Sequence, residues 1–224
     1  MTKKAILFDC DGVLINSEKI YISIDRELLS NMGLNYGLEE FQSRFVGLQF
    51  SDYIRELEDD YNALNKGLFP ENFEDSVNEE AWKRFATELV AVDGLLDLLN
   101  QIEGTMDVAV ASSSTIPELH KKLKLTDLHH RFDPHLYSGQ HVTNGKPAPD
   151  LFLYAAKQLG QSPEHCIVIE DSVNGVRTGR DAGMTVWGFT GGGHGDDNLA
   201  SRLTKAGADQ VFSSFDEISA RLSA

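Results

Sequence analysis

The sequence predicts an α/β fold: a doubly wound parallel sheet with an all-helical segment inserted after its first strand. Three observations carry this. The continuous apolar runs Ala5-Ile6-Leu7-Phe8, Val108-Ala109-Val110-Ala111 and Cys166-Ile167-Val168-Ile169 read as short strands buried on both faces. Helical patterns separate the later runs, so strands and helices alternate and the strands lie parallel. Between residues 17 and 89 apolar residues recur at helical spacing with no strand pattern among them.

The first strand leads into Asp9-Cys10-Asp11-Gly12, two acids one residue apart followed by a glycine that permits a sharp turn. Ser17 then offers an N-cap for a helix carrying Ile20, Ile24 and Leu28, which Gly33 ends. Ser51 offers a cap for a second helix with Ile54, Leu57 and Tyr61, and Gly67-Leu68-Phe69-Pro70 breaks it. A third follows with Phe73, Val77, Phe85 and Leu89. Leu95, Leu98, Leu99 and Ile102 mark a short helix before the second strand, which ends in Ser112-Ser113-Ser114. Ser114 is the expected cap of a helix with Pro117 in its first turn and Leu119 and Leu123 inward. His135-Leu136-Tyr137-Ser138 is the third strand, and Pro149 opens a helix that Gly160 closes. The fourth strand ends in Glu170-Asp171, a glycine-containing helix spans about 173 to 182, and strands follow at 184–189 and 210–212.

The chain has 224 residues, enough for one large domain or a core with a smaller module. Its net charge of −15 lacks the basic face that nucleic acid or an anionic membrane demands, so neither is an expected partner. No run is long enough to span a bilayer or to serve as a signal peptide. Two cysteines, Cys10 and Cys166, make no disulfide framework and point to a reducing cytoplasm.

In parallel sheets of this kind ligands bind beyond the C-terminal strand ends. Here those ends carry Asp9 and Asp11, the three serines, and Glu170 and Asp171. Like charges packed together cost free energy unless a cation neutralises them, and hard oxygen donors suit Mg2+. Serine hydroxyls and a helix N-terminus suit a tetrahedral anion. Lys146, on the proline-stiffened Gly145-Lys146-Pro147-Ala148-Pro149 loop, supplies a cation for it. Each stretch also has a bland reading: an acidic turn, a helix cap, a surface lysine. Their convergence on one edge is what sets the chemical reading above those.

Asp9-Cys10-Asp11-Gly12-Val13-Leu14, Ser112, Lys146-Pro147-Ala148-Pro149-Asp150 and Glu170-Asp171-Ser172-Val173-Asn174-Gly175 together resemble the haloacid dehalogenase superfamily. The likeness is to its helical-cap branch of sugar phosphatases, phosphoglycolate phosphatases and beta-phosphoglucomutases. The resemblance implies a Rossmann-like core formed by 1–16 and 90–224, with residues 17–89 as the cap. It implies a phosphatase for a small phosphorylated metabolite, a sugar or sugar-acid phosphate, working through an aspartyl-phosphate. Asp9 would be the nucleophile and Asp11 the acid and base. Ser112, Ser113 and Lys146 would hold the phosphoryl group. Mg2+ would sit among Asp9, Asp171, Glu170 and Asp11, the last through its carbonyl. Gly47 and Gln49, in a cap turn, would meet the substrate. A monomer or weak homodimer is expected.

The alternatives are a phosphosugar mutase and a non-catalytic binding protein on the same scaffold. The mutases carry a histidine at the cap hinge and an arginine in the cap loop, where this chain has Tyr21 and Phe50. Both departures favour hydrolysis. His129, His130, His135 and His141 lack acidic companions at metal-site spacing and read as surface residues. The Gly-Gly-Gly-His-Gly stretch at 191–195 reads as a mobile loop, Cys10 as pointing away from the acids, and Trp82 and Trp187 as packing.

Overall fold

A strand at Lys4–Phe8 (β1) holds the middle of a six-stranded sheet in the computed structural model, which describes residues 4–48 and 50–223. The others are Met106–Ser112 (β2), Leu136–Ser138 (β3), Cys166–Glu170 (β4), Thr185–Phe189 (β5) and Gln210–Phe212 (β6). Their order is β3-β2-β1-β4-β5-β6, which the sequence reading left open, and every pairing is parallel, which it predicts. Strands added after β1 go first to one side and then to the other. The order therefore reverses at β1, and a crevice opens beyond its C-terminal end.

Alternation along the strands divides the core into two apolar clusters. Ile6, Phe8, Val110 and Ile169 face one side, and Ala5, Leu7, Ala109 and Val168 the other. The first side is covered by helices at Leu95–Ile102 (α5), Ile116–Leu125 (α6), His129–Phe132 (α7) and Phe215–Ser223 (α11), through Leu98, Leu119, Phe132 and Phe215. Helices at Asp150–Gln158 (α8), Val173–Asp181 (α9) and Leu199–Ala206 (α10) cover the second, through Phe152, Val176 and Leu203. Side chains of this size contribute about 1.5–3 kcal/mol each when fully buried.

Between β1 and α5 lie Ser17–Met32 (α1), Leu38–Phe45 (α2), Phe50–Ala63 (α3) and Phe73–Glu88 (α4). α1 packs on α4 through Ile20, Ile24, Val77, Ala81 and Phe85, which are all buried. Phe41 and Phe45 of α2 pack edgewise against Tyr36 and Tyr53. The chain enters and leaves this helical segment side by side. Asn16 N–H donates to the Val90 carbonyl at 3.1 Å, and Val92 N–H to that of Leu14 at 3.0 Å.

Several local expectations need correction. Asn16, not Ser17, stands at the cap position of α1, and Thr115, not Ser114, at that of α6. Ser51 lies inside α3, which begins at Phe50. α2, α7, α10 and α11 were not separable in the sequence; they are short, and α2 buries only Phe41 and Phe45, too few positions to display a period. Among the described residues no helix is long and apolar enough to cross a membrane.

Candidate active site

Parallel register brings the strand ends together. Phe8 lies level with Val110 of β2 and Ile169 of β4, and Asp9 N–H donates to the Ile169 carbonyl at 3.0 Å. Asp9, Ser112 and Glu170 are therefore neighbours across three strands, and all are buried. Lys146 reaches in from its loop, its side chain 6 % exposed, and Nζ donates at 2.6 Å to both Asp9 Oδ1 and Glu170 Oε1. Burial opposes the ammonium charge, but Asp9 and Glu170 outweigh it and hold the Lys146 pKa above its ordinary value.

Oxygens of Asp9, Glu170 and Asp171 lie within 4.8 Å of one another. Burial pushes the Asp9 carboxyl well above its usual range, Lys146 pulls it back, and Glu170 and Asp171 add to the rise. Burial likewise raises Asp171, against the hydrogen bond and charge of His194. Three buried carboxylates against one lysine and one histidine leave a surplus of negative charge that a divalent cation would relieve. Hard oxygen donors and the surplus charge fit Mg2+. The oxygens are not equally available. Glu170 Oε1 accepts from Lys146, and Oε2 from the backbone and hydroxyl of Ser172 at 3.1 and 2.9 Å. Asp9 and Asp171 each keep one oxygen without a hydrogen-bond donor among the described residues. Two glycines make the packing possible: a Cβ on Gly12 (φ +77) would overlap Asp171, and one on Gly175 would overlap Glu170.

The Asp11 carboxylate is not in this cluster. Its Oδ1 accepts from Lys122 Nζ at 2.7 Å and Ser17 Oγ at 2.5 Å, and its Oδ2 from Ser114 Oγ at 3.0 Å. Burial pushes its pKa up, but the Lys122 charge and these hydrogen bonds win and hold the carboxyl below its ordinary value. Any contact of Asp11 with the cation is left to its carbonyl. Lys122 is a partner of Asp11 that the sequence reading missed. A signal existed, since it stands between Leu119 and Leu123 in the inward stripe of α6, where a lysine needs a partner.

A cavity of about 760 Å³ opens over this floor. Asp9, Asp11, Ser112, Ser113 and Lys146 line its base, and Ser43, Arg44 and Gly47 of the helical segment line its roof. Gly47 takes φ +89; Gln49, the other residue the sequence reading assigns to the substrate, lies outside the described residues. Phe50 does not line the cavity; it is 52 % exposed and rests near Tyr53. Tyr21 packs edge-on against Phe85, with Lys122 Nζ 5.9 Å from its ring. Glu18 also faces the cavity, and burial pushes its carboxyl up to about 7.

The discounted features divide. His129 pairs with His120 at 2.8 Å and His135 with Tyr137 at 2.8 Å, and neither joins a cluster of three metal ligands among the described residues. Trp187 is buried in the core, and Cys10 packs within the apolar cluster. The 191–195 stretch is different: it folds over Gly12, and His194 Nε2 lies 3.1 Å from Asp171 Oδ2. Nothing in the local sequence signals that contact, because it is made by loop residues far from Asp171 in the chain.

Comparison with known proteins adds to this geometry. The family model for haloacid dehalogenase-like hydrolases matches residues 6–189. The 6-phosphogluconate phosphatase of Escherichia coli K12 is 32 % identical over 203 residues, 90 % of this chain and 89 % of that protein. The phosphorylated carbohydrates phosphatase of Thermotoga maritima is 31 % identical over 182 residues, 81 % of this chain and 82 % of that one. A haloacid dehalogenase family hydrolase from Deinococcus radiodurans R1, solved with bound phosphate and sodium, superposes with a TM-score of 0.86 at 34 % identity, covering 99 % of this chain and 95 % of that one.

Proposed function

This chain belongs to the haloacid dehalogenase-like hydrolase family and is a phosphoric monoester hydrolase, and we propose that it is a magnesium-dependent phosphatase for a small sugar phosphate or sugar-acid phosphate, working through an aspartyl-phosphate on Asp9. The observation that carries the proposal is the double contact of Lys146 with Asp9 and Glu170 at the floor of a cavity that also holds Ser112 and Asp171. It provides a nucleophile, its counter-charge and an anion seat at one point.

In this proposal Asp9 attacks phosphorus with the oxygen that Lys146 does not occupy. Lys146 and the Ser112 hydroxyl balance and orient the phosphoryl oxygens, with the Ser113 N–H beside them. Asp171 through its free oxygen, and Asp9 through the oxygen it shares with Lys146, would hold the cation directly, and Glu170 would support it from behind through Lys146 and Ser172. Bound there, the cation neutralises charge on the transferring group. Asp11 gives a proton to the departing oxygen and later takes one from the attacking water, moving between Lys122 and the reaction as charge develops. The free enzyme holds it as carboxylate, so as the phosphate binds Asp11 takes up one proton from solvent, and that is the proton it gives to the departing oxygen.

We divide the chain into a core of 1–16 and 90–224 and a cap of 17–89. The paired crossings at Asn16–Val90 and Leu14–Val92 support that hinge. Substrate choice falls to the cavity's wall, where Ser43 and Asp52 of the helical segment and Asn174 at the start of α9 offer partners for hydroxyl groups. The cavity has room beyond one phosphate, which suits a sugar or sugar-acid tail. The names of the Escherichia coli and Thermotoga relatives support the same substrate class. The two cysteines are both free and buried, which fits the cytoplasm. Hydrolysis of an aryl phosphate with and without magnesium tests the enzyme reading: ion-dependent release of phosphate is expected, and no release under any metal would refute it.

A further inference from the structure

The 191–195 loop has no part in the chemistry above, yet it is built into the site. His194 is only 5 % exposed. Its Nε2 lies 3.1 Å from Asp171 Oδ2, while Nδ1 is buried and meets no partner among the described residues. Among the described residues Asp171 is thus the ring's one hydrogen-bonded anchor. Burial opposes a charge on the imidazole, but the hydrogen bond and charge of Asp171 outweigh it and raise its pKa.

The loop is shaped for this approach. Gly193 takes φ +69, and a Cβ on Gly192 would overlap the Gly12 carbonyl and stand 2.7 Å from His194 Nδ1. Gly12, Asp171 and His194 therefore interlock, and a side chain on Gly12 or Gly192 would separate them. From the helical segment, Gln42 Nε2 donates to the His194 carbonyl at 3.0 Å, across 152 residues of sequence.

We propose that His194 is a positioning residue that holds Asp171 Oδ2 so that its other oxygen faces the cation seat shared with Asp9, and that Gln42 ties this arrangement to the cap. The inference rests on the magnesium reading of the site. An unheld carboxylate rotates about its terminal torsion and presents either oxygen. A hydrogen bond from a fixed ring removes that freedom before the ion arrives, and outer partners of this kind typically change metal affinity by about 10–100-fold. Gln42 extends the effect: with the cap in place the loop is held down, and when the cap swings away the loop loses one of its ties.

Titration calorimetry of magnesium on the intact protein tests this, with circular dichroism to establish folding. His194→Phe keeps the ring's bulk and removes the donor, and should weaken magnesium binding by about tenfold or more. His194→Gln restores an amide N–H near the Nε2 position and should recover most of the loss, which a merely structural role would not allow. Gln42→Ala should weaken binding in the same direction and by less. Should His194→Phe fail to fold, His194→Asn, too short to reach Asp171, takes its place. Undiminished binding in a folded His194→Phe or His194→Asn protein overturns the positioning role, and unchanged binding in Gln42→Ala overturns the link to the cap. Asp171→Asn separates the two readings. If it binds as well as the wild type, or the wild type does not bind, the magnesium site itself is wrong and this inference falls with it.

Discussion

Lys122 Nζ lies 2.7 Å from Asp11 Oδ1, and their side chains are 5 % and 19 % exposed. This ion pair holds Asp11, the acid–base residue of the proposed mechanism, in the free protein. It also divides the labour among the acids: Asp11 answers to Lys122, Ser17 and Ser114, while Asp9 answers to Lys146.

Removing Lys122 should leave Asp11 partly buried without its cation. Breaking one partner out of a buried pair costs about 3–5 kcal/mol, and the residual exposure of Asp11 favours the lower end. Lys122→Met should therefore lower unfolding free energy by about 3 kcal/mol in urea denaturation. Adding Asp11→Asn to it should recover much of that loss, and a double variant no more stable than the single one would show that Lys122 matters through packing instead.

Asp9→Asn keeps the shape of the nucleophile and removes its charge. Turnover should fall by about 10⁴-fold or more, in line with the loss of other nucleophiles, with a native circular dichroism spectrum. A fluoride analogue of the phosphoryl group, soaked with magnesium into crystals of the wild type, should attach to Asp9. Attachment to Ser112 would mean that the two residues have been given the wrong roles.

A chelator should abolish turnover, and magnesium should restore it. Because the ion binds the folded state, magnesium should also raise the melting temperature. In Asp171→Asn the magnesium concentration for half-maximal activity should rise by more than about tenfold. Full turnover in excess chelator contradicts the metal-dependent mechanism.

Asp25, on the inner side of α1, gives the fold a pH dependence away from the chemistry. Burial pushes its carboxyl up to about 7, with Tyr53 pulling slightly the other way. An unfolded chain releases that proton near pH 4. Between the two values the folded state binds the extra proton, so this group's contribution to stability declines as pH rises from about 4 to 7 and is fully lost above. Asp25→Asn should remove that decline. Melting temperatures at pH 5 and pH 8 check it: the variant should gain on the wild type mainly at pH 8, and an equal shift at both would rule out the titration of Asp25 as the cause.

Much of this architecture was legible because strands buried on both faces leave unbroken apolar runs, and Ile6, Val110 and Ile169 fall in the cluster those runs imply. Asp9, Lys146, Glu170 and Asp171 were legible because each is chemically costly where the pattern puts it. The exact partners were not. Ser17 and Ser114 read as helix caps, and in the structure both hydroxyls serve Asp11; a serine at a helix start can satisfy the backbone or a neighbour, and local sequence does not distinguish them. Lys122 required knowing that α6 turns its 119, 122 and 123 face inward and that Asp11 lies within reach of it. His194 required the path of a glycine loop, whose permissive φ values leave its course to tertiary contacts.

The central claim is that this site releases phosphate instead of moving it within a sugar. The most direct measurement follows a panel of sugar phosphates and sugar-acid phosphates in magnesium, recording free phosphate and remaining substrate together. Tyr21 is locked against Phe85, and burial pushes its phenol up to about 12, so it offers no group that switches near neutral pH to keep water from a phosphorylated Asp9. Free phosphate should appear one-for-one with the substrate lost for at least one member of the panel. Conversion of a sugar phosphate to its positional isomer, faster than phosphate is released, would contradict the account.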